Sequence, residues 1–334
     1  MFGATECGEV NETCKDAIVL RYIAQRIVAL IPVLIGISLV TFFLIRLVPG
    51  DVVDLMLANE TSLDSERAQE IRRVFGLDQP IHIQYFDWAG GVVQGELGTS
   101  LRTGEPVREE IFSKLPVTVE LTFFSVVIAL IIAIPTGIIA AVRAGTKTEA
   151  AAQGASLLGL SIPSFWLGTM LILISSRFFG WFPAASYTSF GDDPWRNIQI
   201  FILPAIALGA ALAAITMRMT RSALLEILGR EYIMTARAKG LTNQTVVMRH
   251  ALKNALIPVV TVVGIQVGRL LGGAIIIEQL FNLPGIGRLA IDAIAQRDYP
   301  MIQGVVLITT TAFVLINLLV DILYSYIDPR IRYS

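Results

Sequence analysis

The chain contains long stretches without a single charged side chain. Uninterrupted runs lie between Arg26 and Arg46, Glu120 and Arg143, Glu149 and Arg177, Arg196 and Arg218, and Asp298 and Asp321. A further run, Leu256 to Ile277, is apolar except for Arg269. Because a bilayer core about 30 Å thick requires roughly 20 apolar residues per helix, the pattern predicts an all-α membrane protein with six transmembrane helices.

The composition indicates that most of this chain is surrounded by lipid. Hydrophobic residues make up 54% of the sequence and charged residues only 16%, whereas a soluble domain usually carries about 25% charged residues. The formal net charge of −1 lacks the basic excess that nucleic-acid binding needs, so no nucleic-acid partner is predicted. The first apolar run is too long for a signal peptide and no small-residue cleavage site follows it, so it is predicted to remain as an anchor.

The positions of the basic residues predict the orientation of the helices. Lys and Arg cluster at both termini and in the second and fourth connections, which the positive-inside rule places in the cytoplasm. The third and fifth connections hold fewer basic residues and are predicted to face outward. The basic residues of the cytoplasmic segments are Lys15, Arg21, Arg26, Arg143, Lys147, Arg218, Arg221, Arg230, Arg237, Lys239, Arg249, Lys253, Arg330 and Arg332.

Four segments follow from this pattern. Residues 1–20 are predicted to be a cytoplasmic extension, 21–48 the first transmembrane helix and 49–116 an extracytoplasmic insert. The insert has the charge density of a soluble domain. Residues 117–334 are predicted to form a five-helix core with a cytoplasmic loop at about 220–255.

Local signals predict further helices outside the spans. Within the insert, Ser62 to Phe75 and Ile83 to Val93 are predicted to be helical. In the cytoplasmic loop, Arg230 to Lys239 is predicted to form one short helix ended by Gly240. Thr242 is the predicted N-cap of a second helix that runs into the fifth span.

Motifs typical of enzymes and of metal sites are absent from the sequence. The two histidines, His82 and His250, are predicted to lie on opposite sides of the membrane, and neither H-E-x-x-H nor G-x-S-x-G occurs. Cys7 and Cys14 make a poor metal site and are predicted to be structurally idle. Because no G-x-x-x-x-G-K-[ST] phosphate loop occurs, any ATP-driven process must hydrolyse ATP on another polypeptide.

The cytoplasmic loop resembles a known motif. Residues Glu231 to Leu241 are similar to the EAA loop of ABC importer permeases, in the form typical of the dipeptide/oligopeptide/nickel family. The matching positions are Ala236, Gly240 and the apolar-Pro pair Ile257-Pro258, whereas Arg237 stands where the motif has its middle Glu. Further blocks that resemble the first permease subunit of that family are Phe75–Pro80, Gly95–Ser100, Leu115–Leu121, Leu271–Ala274 and Glu278–Gly287.

The resemblance implies a type I ABC importer permease fold and a set of partners. It implies a heterodimer with a second homologous permease in the bacterial inner membrane, two ATPase subunits that bind ATP and Mg, and an extracytoplasmic binding protein. This chain would be a non-enzymatic permease without a cofactor or metal of its own. Substrate class stays undetermined among dipeptides, oligopeptides, nickel chelates and other small solutes.

The resemblance also implies that the short cytoplasmic helix couples the ATPases to the membrane. A helix that seats in a groove of a partner needs small residues for close approach, an abrupt end and basic flanks. The residues assigned to this coupling are Glu231, Tyr232, Ala236, Arg237, Ala238, Lys239, Gly240 and Leu241.

Two ionisable residues near the fifth span are candidates for the translocation path. Arg269 near the bilayer centre costs at least about 2.5 kcal/mol unless it faces water or a partner. It either lines the path and meets a substrate carboxylate, or it forms a structural ion pair within the bundle or with the second permease, or it snorkels to the interface. Glu278 either gates the outer exit or contacts the binding protein, or it is an ordinary carboxylate at a helix end.

Two other classes of function fit the sequence less well. A self-sufficient secondary transporter or channel predicts inverted repeats and several intramembrane acids, neither of which is apparent. An intramembrane enzyme needs a nucleophile and base pair, which the sequence does not present. The peptide-family permease is therefore the leading prediction.

Overall fold

The computed structural model describes residues 12–46, 78–181 and 187–327, so the predicted insert helix Ser62–Phe75 lies outside the described residues. Within these ranges the chain is helical. In chain order the helices are α1 (Glu12–Arg46), α2 (Ile81–Gln94), α3 (Val107–Val142), α4 (Lys147–Ser161), α5 (Ser164–Phe179), α6 (Pro194–Leu228), α7 (Glu231–Ala238), α8 (Leu252–Leu280), α9 (Ile286–Gln296) and α10 (Tyr299–Ile327). A short helical turn, Asn243–Thr245, and a π-helical turn, Val246–Ala251, lead without a break into α8.

Five of the described helices are long and apolar enough to cross a membrane: α1, α3, α6, α10, and α8 with its lead-in. The predicted span between Glu149 and Arg177 is different, because it consists of α4 and α5, which meet at an angle of 102°. The apolar run predicts one span here and gives no angle for it. Pro163 disfavours helical geometry in the residue before it, and Ile162 is extended at φ −85° and ψ 121°. Six spans result when the bent pair counts as one.

The centre of the bundle is the long contact between α3 and α6. Both helices cross at glycines: a Cβ on Gly209 would lie 2.7 Å from the Ser125 carbonyl oxygen, and one on Gly137 would lie 2.7 Å from the Thr220 Cβ. A cluster of buried apolar side chains continues from this contact toward α8. Among the spans, α6 is the most deeply buried, and α4, α5 and α8 pack around it.

The helix of the insert that the structure describes packs against the first span. The Tyr85 hydroxyl lies 2.8 Å from the Ser38 hydroxyl, within hydrogen-bond distance. The rings of Phe42, Tyr85 and Trp88 form a cluster with centroids 5.3–6.4 Å apart. The observed α2 confirms the predicted helix at residues 83–93. Helix α3 begins at Val107, inside the segment assigned to the insert.

The end of the insert is held against the start of α10. The Ser100 hydroxyl donates a hydrogen bond to the Asp298 carboxylate, which is buried. The Arg102 guanidinium donates two hydrogen bonds to the Gln296 carbonyl oxygen, at 2.9 and 2.7 Å. These bonds fix the insert to the loop between α9 and α10, at one end of the bundle.

The close approach at Gly209 predicts a steep cost for a single added methyl group. Gly209→Ala places a Cβ against a backbone oxygen that cannot swing aside, so we expect a loss of about 1–3 kcal/mol of stability. Gly154→Ala on α4 is the matched control, because no atom lies within 4 Å of its added Cβ. Thermal unfolding in detergent should show a lower Tm for Gly209→Ala alone. Equal Tm values for both variants would mean that the α3–α6 contact is looser than described.

Candidate functional site

Helix α7 is a separate short helix on the connection between α6 and α8. Glu231 in its first turn complements the positive end of the helix dipole. Its end is set by Gly240 at φ +80°, a backbone conformation that side chains disfavour, and the Gly240 N–H donates to the Arg237 carbonyl at 2.9 Å. The predicted helix at 230–239 and its stop at Gly240 are confirmed.

One face of α7 is buried in this subunit. Ile233 is 0% exposed and Ala236 is 8% exposed, and both pack against buried side chains of α3, α6 and the lead-in to α8. The sequence interpretation treated Ala236 as a small residue for close approach to a partner, but here it faces inward. Ile233 was not singled out, although its spacing of three residues from Ala236 is typical of one buried helix face.

The rest of α7 and the turn after it are exposed. Apolar side chains stand out there: Tyr232 is 44%, Met234 56% and Leu241 39% exposed. Sequence reasoning did not single out Met234. Five further residues assigned to coupling are also exposed: Glu231, Arg237, Ala238, Lys239 and Gly240. Exposed large apolar side chains beside charged ones leave this helix available for contact with a partner protein.

A polar link joins α7 directly to the next span. The Asn254 side-chain amide donates to the Tyr232 hydroxyl at 2.9 Å, across 22 residues of sequence. Thr242 caps the lead-in as predicted, since its hydroxyl accepts from the Thr245 N–H at 3.3 Å. The π-helical turn that follows is of a kind found mostly at functional sites. A displacement of α7 can therefore be transmitted directly to α8.

Arg269 lies on an exposed face of α8. Its only polar contact among the described residues is to the Gln266 side-chain oxygen at 3.4 Å, and it forms no ion pair there. This argues against the ion pair within the bundle that was one alternative. Its role in lining the path stays a prediction. The shallow cavity beside it has a volume of about 260 Å³ and is lined by Gly268, Arg269, Thr309, Thr310 and Phe313.

Glu278 is not on an open surface of the subunit. It is 0% exposed, and its carboxylate accepts from the Thr118 hydroxyl at 2.6 Å and from the Arg288 N–H at 3.0 Å. The Thr118 oxygen also accepts from the Ile286 N–H at 2.9 Å, so the two side chains together satisfy the start of α9. This arrangement favours the structural alternative over a gate or a contact with a binding protein. A path role for Glu278 stays a prediction.

Comparisons with known proteins identify relatives of this chain. A family model described as "Binding-protein-dependent transport system inner membrane component" matches residues 133–333, and the corresponding N-terminal model matches residues 19–122. The chain is 44% identical over 334 residues to the "Dipeptide transport system permease protein DppB" of Alkalihalophilus pseudofirmus, covering 94% of this chain and 100% of the relative. It is 42% identical to the DppB protein of Escherichia coli K12, covering 94% and 99%. It is 41% identical to the "Glutathione transport system permease protein GsiC" of Salmonella choleraesuis, covering 94% and 100%.

Solved structures agree on the fold. A chain of the inward-facing MetNI methionine ABC transporter matches with a TM-score of 0.53 at 21% identity, covering 65% of this chain and 96% of that one. At this level of identity the match supports the predicted importer permease fold and nothing about substrate.

Removal of the buried side chain of α7 should loosen the helix. Ile233→Ala leaves a cavity under α7, and we expect a loss of about 2–5 kcal/mol of local stability because a fully buried large aliphatic side chain is truncated. Hydrogen exchange of residues 231–238 should accelerate. Thr235→Ala, on the exposed face of the same helix, should leave the exchange unchanged. Unchanged exchange in Ile233→Ala would show that α7 is held by other contacts.

Proposed function

Since this chain belongs to the family of binding-protein-dependent transport system inner membrane components, we propose that it forms half of the translocation path of an ATP-driven peptide importer. The proposal rests most on one observation: α7 is anchored by Ile233 and Ala236, while Tyr232, Met234 and, in the turn after the helix, Leu241 are exposed. A helix built in this way suits contact with an ATPase subunit. The absence of a phosphate loop in the sequence agrees with ATP hydrolysis on such a partner.

The contacts of α7 suggest how motion would reach the membrane. An ATPase that moves against Met234 and Leu241 displaces α7, which is held to the subunit by Ile233 and to α8 by the Tyr232–Asn254 hydrogen bond. Helix α8 continues from that point to Arg269. We infer that rotation or tilt of α8 exposes the path alternately to the two sides of the membrane.

Peptides are the proposed substrates because of the relatives. Two are named for dipeptide transport and one for glutathione transport, and these substrates share free carboxylates and amide groups. The exposed, unpaired guanidinium of Arg269 suits a carboxylate in a membrane interior. An external binding protein would deliver the peptide, and a second homologous permease would complete the path as a heterodimer. Both chain termini would lie in the cytoplasm.

Copurification tests this proposal. The tagged chain is extracted gently from its native membrane, and the proteins that accompany it are identified by mass spectrometry. We expect two P-loop ATPases and a second permease, and the complex should import a peptide when the binding protein and ATP are supplied. Recovery of the chain alone, with solute transport in liposomes that requires no ATP, would replace this proposal with a secondary transporter.

Gly240 provides a sharper test of the coupling helix. Gly240→Val forces a β-branched residue into the left-handed region, at a cost of roughly 1–2 kcal/mol. Because this strain displaces the end of α7, peptide uptake should be lost while the subunit stays in the membrane. Gly145→Val is the matched control, because Gly145 has the same φ of +80° and no atom near an added Cβ, but lies in the loop between α3 and α4. That variant should retain uptake. Equal uptake by the two variants would count against coupling through α7.

A further inference from the structure

A second concave surface lies at the cytoplasmic end of the bundle, away from Arg269. It is a groove of about 470 Å³, within the roughly 300–1,000 Å³ typical of small-molecule sites. Helices α4, α6 and α8 form its walls. The lining residues are Gln153, Ile215, Arg218, Met219, Arg221, Ser222 and Val262.

The groove carries one uncompensated positive charge. Arg221 forms an ion pair with Glu149, and Gln153 donates to the same carboxylate at 2.8 Å. Arg218, one turn earlier on α6, is exposed and has no hydrogen-bond or ion-pair partner among the described residues. Because Glu149 already neutralises Arg221, Arg218 is left as the unpaired positive charge of the groove.

The groove and Arg269 lie along the same stripe of α8. Val262 and Arg269 are seven residues apart, which places them about 20° apart around the helix and about 10 Å apart along it. Ile265, between them, is exposed, and Gln266 is half-buried on the same sector. The buried faces of α8 lie to either side, against α6 and against α10. A molecule that leaves Arg269 toward the cytoplasm therefore meets Arg218 next.

We propose that Arg218 is a second binding station for the carboxylate of a peptide substrate, between Arg269 and the cytoplasm. This inference rests on the proposed import of peptides. A carboxylate that leaves Arg269 without a second cation would lose its ion pair inside a low-dielectric passage, which is costly. Arg218 offers that second cation in the groove whose Val262 wall lies about 10 Å along α8 from Arg269, the rise of seven helical residues.

The same guanidinium chemistry would also bind the phosphate of a lipid headgroup. Basic residues at cytoplasmic helix ends commonly serve that purpose. The walls of the groove favour the substrate, because Gln153 and Ser222 add polar groups beside Arg218, and Val262 connects the groove with the stripe that carries Arg269. A headgroup anchor requires neither feature.

Transport by the assembled complex in proteoliposomes distinguishes the two sources of anion. The substrates are one dipeptide with a free C-terminal carboxylate and the same dipeptide as its C-terminal amide. Relative to wild type, Arg218→Gln should slow uptake of the free acid about tenfold, as expected for one lost ion pair of about 1.4 kcal/mol, and should slow the amide much less. Arg218→Lys should restore most of the free-acid rate. Arg143→Gln, an exposed residue at the cytoplasmic end of α3 and outside the groove, should alter neither rate.

A labelling measurement covers the case in which Arg218→Gln assembles poorly or the binding protein rejects the amide. Ser222→Cys, in a chain with Cys7→Ser and Cys14→Ser, places one thiol in the groove. The free-acid dipeptide, added from the cytoplasmic side, should slow thiol modification, whereas the amide should not. Adding Arg218→Lys should preserve this protection, and adding Arg218→Gln should remove it.

Other outcomes overturn the inference. Arg218 would be a lipid anchor if Arg218→Gln slowed the uptake of both dipeptides equally, or if both dipeptides protected the thiol equally. The same conclusion would follow if the loss of uptake depended on the anionic lipid content. Normal free-acid uptake in Arg218→Gln would remove the second station while the proposed function stands. Failure of the wild-type complex to import either dipeptide would instead contradict the proposed function itself.

Discussion

The hydrocarbon core of a membrane offers no hydrogen bonds, so each spanning segment must satisfy its own backbone. That constraint makes the chain helical wherever it crosses. It also removes the usual reason for helices to associate, because a neighbouring lipid tail is as apolar as a leucine. Close contact must then come from small residues, and Gly137 and Gly209 allow α3 and α6 to approach until backbone and side chain touch. The other helices arrange themselves around this pair.

Buried polar side chains at two junctions of the bundle satisfy backbone donors at helix ends. Glu278 and Thr118 come from two spans, and together they complete the start of α9, whose first N–H groups have no partner within their own helix. Gly285 leaves room for that carboxylate, since an added Cβ would overlap it. Ser100 and Asp298 perform a similar task at the junction of the insert and α10. Both junctions lie at helix ends, where an orphan donor would otherwise be buried.

Sequence reasoning recovered the features that depend on local composition. The apolar runs gave the spans, Gly240 gave the stop of α7, and Thr242 gave a cap, because each of these is decided by residues close in the chain. Features that depend on three-dimensional packing were different. The apolar run around Pro163 predicts a span but not the 102° angle between α4 and α5, since apolarity alone carries no direction. The inward orientation of Ala236 and the burial of Glu278 depend on partners more than a hundred residues away or on a neighbouring helix.

The π-helical turn before α8 has a consequence for the whole span. In an α-helix each residue advances the side chains by about 100° around the axis. The lead-in at Val246–Ala251 therefore sets the azimuth of every residue beyond it, including Arg269. A deletion or insertion of one residue in that turn would rotate Arg269 from the exposed side of α8 toward a side packed against another helix. The sequence of the span itself would be unchanged. The direction in which the permease presents this charge is therefore set by the helical geometry of the π-helical turn, at the N-terminal end of the helix that carries the charge.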